Sequence, residues 1–165
     1  MAKLFVCKIC GEPYIGGTAP DDCPFCGAPK QYLGVAEDYS TLWGVSLTPK
    51  EKENMGKTLE LEVNATAYYD KVAKANKKFS KYNRLYKQFM RVEKEHAEVA
   101  ANFLGIGLPE MKGEDPKGSI EADLKRTSEL EAHATNLYKQ FMAEAVSDKV
   151  KKFYHALAHA EAGHL

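Results

Sequence analysis

The sequence predicts a mostly α protein, in which a small turn-rich module precedes a four-helix bundle. Three observations support this prediction. All four cysteines lie within the first 26 residues, and all five histidines lie after them. The first 36 residues are rich in glycine and proline, which leaves little room for helix. From Thr48 onward, helix start and stop signals delimit four long segments. We therefore expect two parts with different chemistry.

The predicted domains are a module at residues 1–36, a linker at 37–47 and a helical bundle at 48–165. The module is too short to build a hydrophobic core of its own, so it needs another source of stability, such as a bound metal ion. The bundle begins with Thr48-Pro49-Lys50-Glu51, which is a capping box with proline at the first helical position. The four helices are predicted at about 49–76, 80–104, 120–146 and 148–164.

Composition excludes several functional classes. Lysine plus arginine equals aspartate plus glutamate, at 23 each, so no basic excess indicates a nucleic-acid partner. No apolar run is long enough to cross a membrane, and the N-terminus lacks the apolar core of a signal peptide. We therefore expect a cytoplasmic protein that binds neither nucleic acid nor a membrane.

The cysteines form two C-x-x-C motifs, Cys7-Lys-Ile-Cys10 and Cys23-Pro-Phe-Cys26, separated by twelve residues. In each motif a tight turn can direct both sulfurs at one ion, and the glycine that follows permits the required backbone conformation. Four thiolates in a tetrahedral arrangement suit either zinc or iron. The spacing alone leaves both metals open.

An internal repeat marks the helical region. Residues 58–69 (TLELEVNATAYY) align without gaps to residues 127–138 (TSELEAHATNLY), with seven of twelve positions identical. In each half a Glu-x-x-His follows on the next helix, and residues three apart share one helix surface. Packing the four faces together places six candidate ligands at the centre of the bundle: Glu62, Glu93, His96, Glu131, Glu161 and His164.

Buried carboxylates explain why this pattern indicates metal. Four of them without cations would cost too much free energy and would not stay ionised, whereas two metal ions resolve the problem. The arrangement resembles the ferritin-like di-iron or di-manganese site. Neighbouring ionisable residues lie about 120° to 200° from the ligand positions on their helices, and we expect them at the surface or between helices. They are Glu60, Glu129, His133, His155 and His159.

Four tyrosines fall on the inner faces of the predicted helices. Tyr69 and Tyr138 lie seven residues after the glutamate of each repeat, and we expect their hydroxyls to hydrogen-bond ligand carboxylates and orient them. Tyr86 and Tyr154 lie seven residues before each Glu-x-x-His. They are predicted to form aromatic core, with a similar orienting role as the alternative.

With both motifs identified, nearly the whole chain resembles the rubrerythrin family, in the form with the rubredoxin-like module in front of the bundle (reverse rubrerythrin). CKICG and CPFCGAPK carry the first part of the resemblance, and the duplicated Glu and Glu-x-x-His pattern carries the second. The resemblance implies one iron bound by the four cysteines and two irons bound by the six bundle ligands. It also implies reduction of hydrogen peroxide to water. The electrons would come from an NAD(P)H-dependent rubredoxin reductase or a similar donor, through the cysteine-bound iron.

Ala134 departs from the family pattern, because typical rubrerythrins carry an extra glutamate at this position. The remaining six ligands are closer to those of oxygen-activating di-iron proteins. The alternative functions are therefore a di-iron oxygen reductase, with oxygen as the oxidant, or a ferroxidase that handles iron. Zinc in a purely structural cysteine module is a further alternative.

The resemblance also bears on assembly, and a homodimer or homotetramer is expected. Residues 105–118 must span a bundle about 36–40 Å long, and when fully extended they reach roughly 46–50 Å. Exchange of helix pairs between two subunits would relax that span. A neighbouring subunit could also bring its cysteine-bound iron closer to a di-iron site than the chain's own module does.

Overall fold

Three short strands build the N-terminal module in the computed structural model, which describes residues 1–165. Strand β1 (Lys3–Cys7) lies in the middle of the sheet, between β2 (Pro13–Gly16) and β3 (Leu33–Val35). Both pairings are antiparallel, and Phe5 lies opposite Tyr14 on one side and Val35 on the other. The sheet therefore places Cys7 at the end of its central strand, where the first cysteine turn begins.

Four helices follow: α1 (Pro49–Ala75), α2 (Lys81–Leu104), α3 (Ile120–Glu144) and α4 (Asp148–Gly163). Helix α1 packs mainly against α2, and α3 packs mainly against α4. None of them is both long and apolar enough to cross a membrane. The predicted fold class, a four-helix bundle behind a small cysteine module, is confirmed.

Two equivalent hydrogen bonds show how the helix pairs meet. The hydroxyls of Tyr86 in α2 and Thr127 in α3 are 3.0 Å apart, and those of Tyr154 in α4 and Thr58 in α1 are 3.2 Å apart. All four residues lie in the first half of their helices. Thus α2 runs parallel to α3, and α1 runs parallel to α4. The two halves of the internal repeat are therefore joined by the same contact twice.

Glu51 joins the start of α1 to the end of α3. It completes the predicted capping box with Thr48, and its other oxygen accepts the backbone N–H groups of Val146 and Ser147, at 2.9 and 2.8 Å. These bonds hold the chain in an extended turn. Helix α3 consequently ends at Glu144, two residues before the predicted end at 146.

The connection between α2 and α3 lies along α1. Gly105 ends α2 in the left-handed conformation, with φ of 67°. Further along, the Lys71 ammonium donates to the carbonyl of Gly113 and to Asp115, both at 2.8 Å. A Cβ at Gly113 would lie 2.3 Å from the carbonyl oxygen of Asn64, so this close approach requires glycine. The connection thus spans the bundle within one chain.

We expect Glu51→Gln to lower the free energy of unfolding by about 2 kcal/mol at pH 7, because the new amide points N–H donors at backbone N–H groups. Burial alone would raise the pKa of Glu51, but hydrogen bonds from Ser147, Thr48 and Val146 lower it. The stabilisation is therefore complete above about pH 4.3, the ordinary glutamate pKa, and is lost as the pH falls through the lowered value.

Urea unfolding of wild type and variant between pH 3 and pH 7 measures this difference. Glu53→Gln is the matched control, because Glu53 is exposed on the same first turn and pairs only with Lys50 and Lys57. A stability difference that stays constant across this pH range would contradict the assignment.

Candidate metal centres

The four cysteine sulfurs converge within the module. The Cys7 and Cys26 sulfurs are 3.8 Å apart, the Cys10 and Cys23 sulfurs are 3.9 Å apart, and all four lie within 4.8 Å of one another. A tetrahedral ion with metal–sulfur bonds of about 2.3 Å needs sulfurs roughly 3.8 Å apart. The geometry therefore fits one tetrahedral metal ion.

The backbone of the two cysteine turns allows this convergence. Gly11 and Gly27, which follow the second cysteine of each motif, both have positive φ, at 85° and 69°. Their N–H groups donate to the carbonyls of Cys7 and Cys23, closing each turn. Hydrogen bonds with the other thiols, followed by burial, raise the pKa of Cys26. Four thiolates this close together thus call for a cation.

The six predicted bundle ligands form two overlapping groups of donors. Glu62 and His96 belong to one group, Glu131 and His164 belong to the other, and Glu93 and Glu161 belong to both. Each helix supplies at least one member. The ligand atoms within each group lie within 4.8 Å of one another. This donor set could hold two metal ions, with Glu93 and Glu161 within reach of both and one further carboxylate and one histidine available to each.

The two shared carboxylates have no hydrogen-bond partner at any of their four oxygens, although Glu93 and Glu161 are each only 1% exposed. The ring nitrogen Nδ1 of His96 is also unpartnered, and it lies 3.1 Å from one oxygen of each shared carboxylate. Buried polar atoms normally find a partner. These unpartnered buried atoms point at a common centre, where a pair of bound cations would give each of them a partner.

The electrostatics of the cluster support the same assignment. Burial raises the pKa of Glu93 well above its usual range, and the charges of Glu161 and Glu131 raise it further. Burial, opposed by a hydrogen bond from His164, raises the pKa of Glu131 to about 7. Burial alone would lower the pKa of His164, but Glu131 and Glu161 raise it to about 10. The carboxylates thus compete for positive charge, which bound metal ions would supply.

Tyr69 and Tyr138 hold the two outer carboxylates. The Tyr69 hydroxyl in α1 donates to Glu131 in α3, and the Tyr138 hydroxyl in α3 donates to Glu62 in α1. Each tyrosine therefore contacts the glutamate of the other repeat, because α1 and α3 run antiparallel. Burial, and then the charge of Glu131, raises the pKa of Tyr69, so the phenol keeps its proton and remains a donor.

Tyr86 and Tyr154 do not orient ligands, so the alternative role for them is wrong. Each lies seven residues before its Glu-x-x-His, and helical side chains lean towards the N-terminus of their helix, so its hydroxyl is directed away from that motif. Their hydroxyls pair instead with Thr127 and Thr58. Both rings are fully buried, as expected for aromatic core.

The ionisable neighbours of the ligands lie outside the cluster. Glu60, Glu129 and His133 are exposed. His155 and His159 project from α4 towards the module: a His155 ring nitrogen is 3.0 Å from the Tyr32 hydroxyl, and a His159 nitrogen is 2.7 Å from Asp22. This docking role has no local sequence signal, apart from the four-residue spacing that puts both histidines on one face of α4.

The second cysteine motif rests directly on the bundle. A Cβ on Gly27 would lie 2.9 Å from the Cβ of Ala160, the residue before Glu161. Next to this contact, Nε2 of His96 is 2.9 Å from the carbonyl oxygen of Cys26. A carbonyl only accepts, so Nε2 carries a proton, and Nδ1 is the nitrogen that faces the carboxylates.

One hydrogen bond therefore joins a ligand of the cysteine centre to a ligand of the bundle centre within the same chain. The expectation that a neighbouring subunit brings a closer cysteine centre stays a prediction, because it concerns the assembly of two chains. The module packs on the bundle of its own chain through His155, His159 and the close approach of Gly27 to Ala160. Sequence reasoning missed this contact, since it joins residues 70 positions apart.

Comparison with known proteins finds two similarities. Residues 5–33 match the family described as rubrerythrin, rubredoxin-like domain. The chain is 27% identical to Reverse rubrerythrin-1 of Clostridium acetobutylicum over 179 aligned positions, which cover 98% of this chain and 92% of that protein. No solved structure gave a significant match. The resemblance predicted from the sequence is thus confirmed: residues 5–33 match the rubredoxin-like domain of rubrerythrins, and nearly the whole chain is similar to a reverse rubrerythrin.

Proposed function

We propose that this protein is a non-haem di-iron peroxidase that reduces hydrogen peroxide to water. The electrons would come from an NAD(P)H-dependent rubredoxin reductase or a similar donor, through iron bound by the four cysteines. The observation that carries the proposal is the pair of donor groups sharing Glu93 and Glu161, one hydrogen bond away from the cysteine centre. An iron-storage protein needs no module that delivers electrons, whereas an enzyme that reduces hydrogen peroxide does.

Iron would supply the redox chemistry: two ferrous ions give the two electrons that, with two protons, convert hydrogen peroxide to two waters, and the cysteine-bound iron returns electrons singly. The residues of the chain set the conditions for this reaction. Tyrosine hydroxyls hold one oxygen each of Glu62 and Glu131. The second oxygen faces a candidate ligand histidine, His96 at 3.8 Å for Glu62 and His164 at 3.0 Å for Glu131, and is the one that could bind an ion. The buried surroundings exclude bulk water from the centre.

The contact between Cys26 and His96 offers a route for electrons within one chain. The backbone carbonyl of Cys26 accepts the Nε2 proton of His96, so a covalent path from the cysteine sulfur continues through one hydrogen bond into a bundle ligand. The pairs Tyr32–His155 and Asp22–His159 hold the module in this position. We therefore propose that each chain refills its own di-iron centre.

Iron is preferred over zinc at the cysteine centre because the matching domain is the rubredoxin-like domain of rubrerythrins. Four thiolates hold an ion with little change of geometry between oxidation states, which favours rapid electron transfer. The colour of the purified protein separates the two metals: a red protein with visible charge-transfer bands contains thiolate iron, and a colourless module contains zinc.

Ala134 supports a second candidate function. It is 3% exposed and lines the small void beside Glu93 and Glu161, so no seventh carboxylate reaches the centre from this position. Six ligands are the set typical of oxygen-activating di-iron proteins. An oxygen reductase or ferroxidase would use the same residues, and comparing turnover with oxygen and with hydrogen peroxide separates these activities.

Loss of one outer ligand tests the di-iron centre itself. Glu131→Ala should reduce the tightly held bundle iron from about two ions per chain to about one or fewer, because one donor group loses its outer carboxylate. Iron analysis after a chelator challenge gives the stoichiometry, and the visible spectrum reports the cysteine centre, which should not change. Glu129→Ala is the control, since Glu129 is exposed on the same helix. Equal iron content in both variants would refute the ligand assignment.

Peroxide turnover tests the proposed reaction. Iron-loaded protein with an NADH-driven reductase should consume hydrogen peroxide, and Cys10→Ser should reduce this steady-state rate to background by disabling electron entry. The same variant should still react once with peroxide after chemical reduction, because the bundle ligands are intact. Faster consumption of oxygen than of peroxide by the wild type would favour the second candidate function.

Complementation tests whether the relay stays within a chain. Cys10→Ser lacks electron entry and Glu131→Ala lacks a complete di-iron centre, so neither variant turns over on its own. Co-expression of the two gives mixed assemblies if the protein forms oligomers. An intrachain relay predicts no recovery of peroxide turnover in the mixture. Recovery to a substantial fraction of the wild-type rate would show that electrons cross between subunits.

A further inference from the structure

Two neighbouring cavities lie between α1 and α3. The outer one is a cleft of about 360 Å³ beneath the connection that follows α2, and the inner one is a void of about 10 Å³ against the ligand carboxylates. Three residues line both cavities and form the wall between them: Leu61, Ala65 and Leu130. This wall separates solvent from the candidate di-iron centre.

The two leucines hold equivalent positions in the internal repeat. Leu61 directly precedes Glu62, and Leu130 directly precedes Glu131. Both are half-buried, whereas the glutamates beside them are buried. A half-buried leucine can change rotamer without opening the bundle. The two side chains are therefore the parts of the wall that can move.

The other large clefts do not reach the centre. A cleft of about 430 Å³ between α1 and α2, lined by Thr66, Lys71 and Met90 among others, shares no lining residue with the inner void. A cleft of about 470 Å³ beside Phe25 and Arg91 shares none either. Among these large clefts, the one between α1 and α3 is the entrance that adjoins the ligands.

We propose that Leu61 and Leu130 form a gate through which the oxidant passes from the outer cleft to the di-iron centre. The gate would select hydrogen peroxide over bulky organic hydroperoxides. This inference rests on the proposed peroxidase function. An inner void of about 10 Å³ holds roughly one water-sized molecule, so any larger oxidant requires the leucines to move aside.

The chemistry of the outer cleft suits this class of substrate. Its rim carries Asn64, Lys112, Glu114 and Arg126, and Glu114 accepts from the guanidinium of Arg126 at 2.9 Å. Lys112 pairs with Glu110 at 3.0 Å, outside the cleft. Because each of these charges has a partner of opposite sign, the rim attracts neither anions nor cations strongly. A small neutral molecule that forms hydrogen bonds can cross it, and the apolar leucines then set the limit on size.

Azide binding to the diferric protein tests the gate without any catalytic turnover. Stopped-flow absorbance follows the azide-to-iron charge-transfer band as the ligand enters. Leu130→Phe narrows the passage and should slow azide entry by about tenfold, whereas Leu61→Ala and Leu130→Ala widen it and should speed entry. The control is Leu137→Ala, because Leu137 is half-buried on the same face of α3 two turns away and lines neither cavity.

Oxidation of the chemically reduced protein tests selectivity. The two widening variants should react with cumene hydroperoxide about tenfold faster than the wild type, and with hydrogen peroxide at a rate within about threefold of it. Circular dichroism and iron content check folding, and the alanine variants test the gate independently of Leu130→Phe.

Equal rates of azide entry in the wild type and all four variants would overturn the proposed gate. So would an unchanged preference between the two peroxides in the widening variants. A wild type that binds azide as expected but fails to reduce hydrogen peroxide would instead overturn the proposed function. The two failures are therefore distinguishable.

Discussion

Four carboxylates buried at the centre of the bundle are the constraint on which the rest of the structure depends. Glu93 and Glu161 are each 1% exposed and lack hydrogen-bond partners, a situation that protein interiors avoid unless cations are bound. Every helix contributes a ligand, so holding the charges together also holds the helices together. The polar layer divides the apolar interior into a large cluster that includes the module and a small aromatic one around Tyr68, Tyr69 and Tyr86.

In the structure, the two halves of the sequence repeat form a nearly symmetric cluster of candidate ligands, and the two ends of this cluster have different surroundings. Tyrosine–glutamate and tyrosine–threonine contacts each occur twice, once in either direction between the two halves. The module breaks this symmetry, since it docks beside His96 and not beside His164. His96 donates to the carbonyl of Cys26, whereas His164 packs against Phe89 with ring centroids 4.6 Å apart and ring planes tilted by 40°. One end of the cluster thus faces the cysteine module, and the other lies at the last turn of α4.

Repetition and spacing allowed the candidate metal-binding residues to be predicted from the sequence. Two C-x-x-C motifs specify a four-thiolate site because short turns place their sulfurs together, wherever the module lies. Helical periodicity assigned the Glu and the Glu-x-x-His of each half to an inward face. The occurrence of the same pattern in both halves argued against a chance match. Thr48 and Glu51 marked the start of α1 because capping depends on residues three apart. Nothing comparable marked the end of α3, which is decided by bonds between Glu51 and residues 95 and 96 positions later.

The sequence by itself determined which side chains can bind metal, where the helices begin and that the two halves are equivalent. These properties depend on residues a few positions apart. The tertiary structure alone decided which glutamate each tyrosine holds, that Tyr86 and Tyr154 miss the ligands, and that His155 and His159 receive the module. It also decided that Cys26 meets His96. Each of these contacts depends on the direction and depth at which separate helices pack, and the periodicity of any one segment does not specify these quantities.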